Sequence, residues 1–261
     1  MSGKLAGQVA IITGGGRGIG RHIALRFAAE GAAVTLAATG VAALEATGKE
    51  IRAAGGRALV VPTDVADENA VAAMVKRSVA EFGRLDVLVN NAGISGPTAA
   101  ATDLALADWQ RTLDINLTGA LLCAKHAAPH MIQRRYGRII NITSVAGLIG
   151  YAYRSPYAAS KWGMIGLTRS LALELGEAGI TVNAIAPGAV RGERIGAVIE
   201  KRARAVGRTA EEVEREFFIE PTALKRMIEP EEIAATALFL ASDEARSITG
   251  DTIQVSSGFR I

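Results

Sequence analysis

Seven short apolar runs, separated by amphipathic segments, limit what this chain can fold into. The runs cover residues 9–12, 34–37, 58–61, 87–89, 138–142, 181–185 and 253–255. The first six are rich in β-branched residues and short enough to be strands buried on both faces. Between the runs, residues 18–30, 41–54, 69–82, 107–134, 158–176 and 231–242 carry helical periodicity. Strand–helix alternation of this kind predicts an α/β fold: a single doubly wound parallel sheet with helices on both faces, joined by right-handed crossovers.

No internal repeat or linker-like tract divides the sequence, so residues 1–261 are expected to form a single domain. With 49% hydrophobic and 21% charged residues, the chain is too apolar to be disordered. One stretch breaks the alternation. Residues 191–226 are long, densely charged and helical in pattern, and they are expected to form a lid over a site rather than another layer of the core.

Composition also removes several function classes. The net charge of +3 is too small to imply a nucleic-acid partner. There is no signal core at the N-terminus and no apolar run of membrane-spanning length, so no membrane partner is expected and the cytoplasm is the expected location. A single cysteine, Cys123, excludes a disulfide framework, and with three scattered histidines no metal site is expected.

The first strand runs into Thr13-Gly14-Gly15-Gly16-Arg17-Gly18-Ile19-Gly20, and a helix pattern follows at once. Gly14 suits a tight turn, Gly18 lets backbone approach a pyrophosphate, and Gly20 allows helix and strand to pack closely. The helix N-terminus then offers unpaired N–H groups to the phosphates. A ligand-free turn is the alternative, but the place of the loop in a first βα unit favours a Rossmann-like dinucleotide site. NAD enzymes commonly carry an acid about 20 residues beyond the glycines, to hold the ribose 2′-hydroxyl. Here that place holds Ala38 and Thr39, and Arg17 could pair with a 2′-phosphate, so NADP(H) is favoured over NAD(H). A merely solvated Arg17 is the competing reading.

Ser144, Tyr157 and Lys161 form the sharpest signal. Four residues apart, Tyr157 and Lys161 share one helix face, and Ser144 follows a strand at the carboxyl edge, where open α/β sheets bind ligands. A free phenol is a poor base near neutrality, and a neighbouring ammonium favours its ionised form. The pair alone would be an ordinary helix surface. Combined with the glycine loop, Ser144 and Asn116, it points to proton transfer.

These residues, with Asp64-Val65, Asn90-Asn91-Ala92-Gly93 and Pro187-Gly188, resemble the short-chain dehydrogenase/reductase family over nearly the whole chain, and segments such as Gly179-Ile180-Thr181-Val182-Asn183 are similar to those of 3-oxoacyl-carrier-protein reductases. The resemblance implies a hydride-transferring oxidoreductase acting on a carbonyl or secondary alcohol. By resemblance, Asp64 and Val65 flank the adenine, Asn90 to Gly93 lie beside the cofactor, and Pro187, Gly188 and Val190 border the nicotinamide. Ser144 would hold the substrate oxygen, Tyr157 would exchange the proton, Lys161 would bind the ribose, and Asn116 on a long helix would anchor a relay water. A homotetramer or homodimer is also implied. Two features depart from the carrier-protein reductases: Ser256-Ser257-Gly258 replaces a common Asp-Gly-Gly, and the 191–226 segment is longer and more charged. A small sugar-like or anionic hydroxy metabolite therefore competes with a 3-oxoacyl thioester as substrate. Arg154, Arg191 and Arg194 are candidates to recognise an anion, against simple ion pairing on a solvated face. The remaining rival is a non-catalytic dinucleotide sensor on the same fold.

Overall fold

The computed structural model describes residues 3–260, so residues 1, 2 and 261 of the expected domain lie outside it. Seven strands form one sheet: β1 Val9–Thr13, β2 Ala33–Ala38, β3 Arg57–Pro62, β4 Val87–Asn90, β5 Gly137–Ile142, β6 Ile180–Pro187 and β7 Thr252–Val255. All neighbours are parallel, in the order β3-β2-β1-β4-β5-β6-β7. The helices are α1 Gly18–Ala29, α2 Val41–Ala53, α3 Glu68–Phe82, α4 Leu106–Leu113, α5 Gly119–Arg134, α6 Ser155–Leu175, α7 Glu193–Val206, α8 Ala210–Glu214 and α9 Pro230–Ala241.

The pleat sends alternate residues to opposite faces, and both faces are covered. Ala10, Ile12, Val87, Val89, Ile140 and Ile142 join α1 and α9 in one core. Ile11, Leu88, Ile139 and Val182 join α3, α5 and α6 in the other. Burial on both faces holds for β1, β4, β5 and β6, but β3 is half-exposed because it is an edge strand.

The expected helix over 107–134 is broken. Between α4 and α5 the ladder widens into a π-turn, Asp114–Thr118, in which the Gly119 N–H reaches back to the Asp114 carbonyl. The cause is a tertiary contact: Asn116 in this turn accepts from the N–H of Ile94 and donates to its carbonyl, which holds the chain out of regular α geometry. Leu117, in this turn, packs against α6, since a Cβ at Gly163 would lie 2.7 Å from its Cδ2. Leu121, Trp162 and Leu173 remain exposed.

The 191–226 segment holds α7, α8 and a second π-turn, Arg215–Ile219, around a small core of Ile199, Ala203, Val213, Phe218 and Met227. Its charges pair mostly between elements rather than at i,i+4: Arg191 meets Glu214 and Glu229, both at 3.1 Å, whereas Arg208–Glu212 at 3.7 Å is i,i+4. No described helix is long and apolar enough to cross a membrane, and no described cluster of His, Cys, Asp and Glu could hold a metal ion.

At the amino edge of the sheet, Asp86 is fully buried. Its carboxylate accepts from the Val9 N–H at 2.9 Å and from Arg84 Nε and Nη2 at 2.7 Å each. Its backbone continues the ladder to Val9 and Arg138. One side chain thus ties β1 to β4. Asp86→Ala strands the Val9 donor and the Arg84 cation, and should destabilise the fold by about 3–5 kcal/mol. Chemical denaturation should show a lower midpoint at unchanged slope.

Candidate active site

A parallel sheet whose strand order reverses leaves a crevice beyond the carboxyl ends of the two strands at the reversal. Here those strands are β1 and β4, and the glycine loop lines one side. Gly14 turns at φ +67°, and Gly18 adopts φ +52° where a Cβ would meet nothing within 4 Å. At Gly20, a Cβ would lie 2.3 Å from the Gly14 carbonyl oxygen and 2.5 Å from Asn91 Nδ2. Turn, open approach and close packing fall on these three glycines. Ile19 packs against the core. Arg17 is the N-cap of α1, with no side-chain cap, so the first N–H groups of the helix stay available to an anion.

Thr13, the first residue of the glycine motif, braces the loop. Its Oγ1 donates to the Val89 carbonyl at 3.2 Å and accepts from the N–H groups of Asn91 and Ala92, each at 3.0 Å. Asn91 Nδ2 donates in return to the Thr13 carbonyl at 2.9 Å and the Gly14 carbonyl at 3.3 Å. Asn90 differs from expectation. It ends β4, and its side chain turns inward to donate to Asn141 Oδ1 at 2.9 Å and the Ala120 carbonyl at 3.3 Å. The Asn90 side chain is therefore a structural tie, and only its backbone remains for the crevice.

The start of α2 touches the loop, because a Cβ at Gly16 would lie 3.0 Å from the backbone of Ala43 and Leu44. The Gly14 N–H donates to the Ala37 carbonyl at 2.6 Å, so the end of β2, with half-buried Ala38 and exposed Thr39, borders the loop that carries exposed Arg17. After β3, exposed Asp64 accepts from the Ala66 N–H at 3.0 Å, while Val65 is buried against Gly119, where a Cβ would lie 2.8 Å from its Cγ2. Pro187 ends β6, the Gly188 N–H donates to the Val255 carbonyl at 3.0 Å, and Val190 bridges to Ile228.

Beyond β5, Ser144 Oγ accepts from the Ala146 N–H at 3.2 Å. Tyr157 lies in the first turn of α6, with Lys161 one turn further on. Lys161 is buried; its Nζ donates to the Ile142 carbonyl at 2.8 Å and stands 5.8 Å from the centre of the Tyr157 ring. Thr143 Oγ1 donates to the Lys161 carbonyl at 2.9 Å, pinning α6 to the end of β5. Burial first, and the nearby Arg194 charge second, push the Lys161 amine from 10.5 down to about 7. Arg194, from α7, donates to the Gly93 carbonyl, and a Cβ on Gly93 would lie 3.8 Å from Lys161 Nζ.

Asn116 departs from expectation in its place. It lies in the π-turn, with Oδ1 accepting from the Ile94 N–H at 2.8 Å. Its Nδ2 donates to the Ile94 carbonyl and to Ser160 Oγ, each at 3.0 Å. Both amide hydrogens are used, so the side chain ties the segment after β4 to α6. Arg154, only one of several charged candidates in the sequence, stands beside Tyr157, with its Cζ 5.5 Å from the ring centre.

Residues 14–260 match the family model described as enoyl-(acyl carrier protein) reductase. The chain is 41% identical over 256 residues to a 3-oxoacyl-(acyl-carrier-protein) reductase of Synechocystis, covering 97% of each chain. It is 41% identical over 260 residues to a cis-4-hydroxycyclohexanecarboxylate dehydrogenase of Sinomonas cyclohexanicum, covering 99% of each. A crystal structure of NAD+-bound xylitol dehydrogenase matches it with a TM-score of 0.93 at 35% identity, covering 98% of this chain and 100% of that one. With a family match over almost its whole length and full-length relatives at this identity, the chain belongs to the short-chain dehydrogenase/reductase family of NAD(P)-dependent oxidoreductases.

Proposed function

We propose that this chain interconverts a carbonyl compound and a secondary alcohol, with Tyr157 as general acid and base. The observation that carries this reading is the buried Lys161 ammonium one helical turn beyond Tyr157, beside Ser144 at the carboxyl edge of β5. Burying a lysine with a single carbonyl partner is costly, and a protein that only sensed a dinucleotide would have no use for its pairing with Tyr157.

The residues fit a nicotinamide dinucleotide. Space is open at Gly18, α1 begins without a side-chain cap, and Gly14 and Gly20 admit nothing larger than hydrogen. The glycine loop, the Asn91–Gly93 backbone, Asp64, Thr39 and the Pro187–Val190 segment would hold it, with Lys161 at the ribose. When bound, the cofactor gives or takes the hydride. Ser144 Oγ orients the substrate oxygen. Tyr157 delivers a proton to that oxygen in reduction and removes it in oxidation. Lys161, when charged, favours the phenolate of Tyr157 by Coulomb attraction, and the brace of Thr143 and Ile142 keeps it in reach.

NADP(H) is the favoured cofactor. No acid stands at Ala38 or Thr39, and the Arg17 guanidinium is exposed on the adjoining loop. The similar xylitol dehydrogenase was solved with NAD+, so a comparison of both cofactors decides the point.

Three outcomes follow. Tyr157→Phe removes the transferable proton with little change of volume, so turnover should fall by ~10²–10⁴-fold while cofactor binding, read by fluorescence titration, persists. Ala38→Asp places a charge against the 2′-phosphate and should move the ratio of kcat/KM values toward NAD(H); a wild type that already prefers NAD(H) would contradict the assignment. Lys161→Met removes a buried amine. The native amine titrates at about 7 and the unfolded one at 10.5, so wild type bears the full cost of burying the charge below about 7, and the cost fades as pH rises toward 10.5. In cofactor-free chains, the stability of Lys161→Met relative to wild type should therefore be greatest near pH ~6 and shrink by about 2–3 kcal/mol by pH ~9. Urea denaturation at the two pH values reads the difference.

A further inference from the structure

Among the described residues, four arginines are buried or half-buried: Arg21, Arg84, Arg138 and Arg154. Three of them carry a carboxylate: Arg21 on Glu50 at 2.5 Å, Arg84 on Asp86 at 2.7 Å and Arg138 on Asp243 at 3.1 Å. Arg154 has no carboxylate partner among the described residues. A guanidinium withdrawn from water without a counter-charge is costly, and this one adjoins the tyrosine assigned to proton transfer. Its donors are only partly used. Nη2 donates to the Ser95 carbonyl at 2.8 Å, Nε is buried without a partner, and Nη1 makes no hydrogen bond to the described chain.

The backbone is shaped to present this side chain. Tyr153 adopts φ +62°, a left-handed conformation that costs a non-glycine residue energy and is found where surrounding structure enforces it. The Tyr153 carbonyl accepts from the Ala99 N–H at 3.0 Å, and the Arg154 N–H donates to the Tyr151 carbonyl at 3.2 Å. The segment after β4 and the loop before α6 are thereby clasped together, with Arg154 between them. Two further cations stand at the site. Lys161 is buried one turn beyond Tyr157, and Arg194 has no ion pair among the described residues, whereas Arg191 on the same segment has two.

We propose that Arg154 binds a carboxylate of the substrate, and that the substrate is a small hydroxy acid or the corresponding oxo acid. This rests on the hydride-transfer reading above. A carboxylate supplies the counter-charge that the chain withholds, and its planar geometry matches the guanidinium. Arg154 precedes Tyr157 by three residues at the start of α6 and lies against its ring. The bound carboxylate therefore sits only a few bonds from the carbon that reacts. A 3-oxoacyl thioester has no anionic group at that distance.

The test is a panel of acetoacetate, levulinate and an oxocyclohexanecarboxylate, each assayed beside its methyl ester with both cofactors. For at least one pair, kcat/KM for the acid should exceed that for the ester. Arg154→Gln should erase roughly 10- to 100-fold of that preference, chiefly through KM, and Arg154→Lys should keep part of it. Calorimetric titration of the preferred acid should show binding to wild type that weakens in Arg154→Gln, with cofactor titration as the control for folding. An acid preference that survives Arg154→Gln, or wild-type turnover that is equal for acids and esters, overturns the Arg154 assignment and leaves hydride transfer standing. No turnover of any ketone with either cofactor removes both.

Discussion

Where β1 and β4 lie side by side, α1 must pass within van der Waals reach of the turn it springs from, and everything at the carboxyl edge takes its position from that contact. A Cβ on Gly20 would stand 2.3 Å from the Gly14 carbonyl oxygen, and one on Gly14 would stand 2.7 Å from Asn91 Nδ2. Thr13 and Asn91 lock the two strand ends together through five hydrogen bonds that cross the seam. The glycine loop and the segment that carries Gly93 are therefore one rigid piece. Gly93, in turn, packs against Asn116 and lies close to Lys161. A displacement of the seam would reach Lys161 through this short chain of contacts.

The two ends of the sheet treat buried charge in opposite ways. At the amino edge, Asp86 is surrounded by donors, and the Arg84 charge balances it. At the carboxyl edge, Lys161 keeps a single carbonyl acceptor and faces the Arg194 cation. The first arrangement stabilises the fold. The second stores an unfavourable charge where a substrate, a cofactor or a phenolate can relieve it, which is how active sites commonly trade stability for chemistry.

Strand and helix positions were largely legible because they follow local patterning. All seven apolar runs became strands, and the glycine loop adopted the turn that its glycines permit. The break between α4 and α5 was not legible. Residues 107–134 keep helical periodicity throughout, and what opens the ladder is a bond from Asn116 to a peptide 22 residues away. The edge position of β3 was equally hidden, because an edge strand and a central one can share the same apolar run. The pairing of the 191–226 charges depended on how α7 and α8 fold over each other, which spacing along a helix cannot express.

The sequence by itself determined the fold class, the glycine loop at the first βα turn, and the set Ser144, Tyr157 and Lys161, because each depends on periodicity or on spacing within one or two elements. Only the tertiary structure decided the rest. It turned Asn90 inward, since strand pleating and the neighbouring Asn141 give its amide a buried partner. It committed the Asn116 side chain to Ile94 and Ser160. It also separated Arg154 from the other charged residues in its loop and in the 191–226 segment, because whether a guanidinium meets a carboxylate depends on distant elements converging, and at Arg154 none of the described residues supplies one.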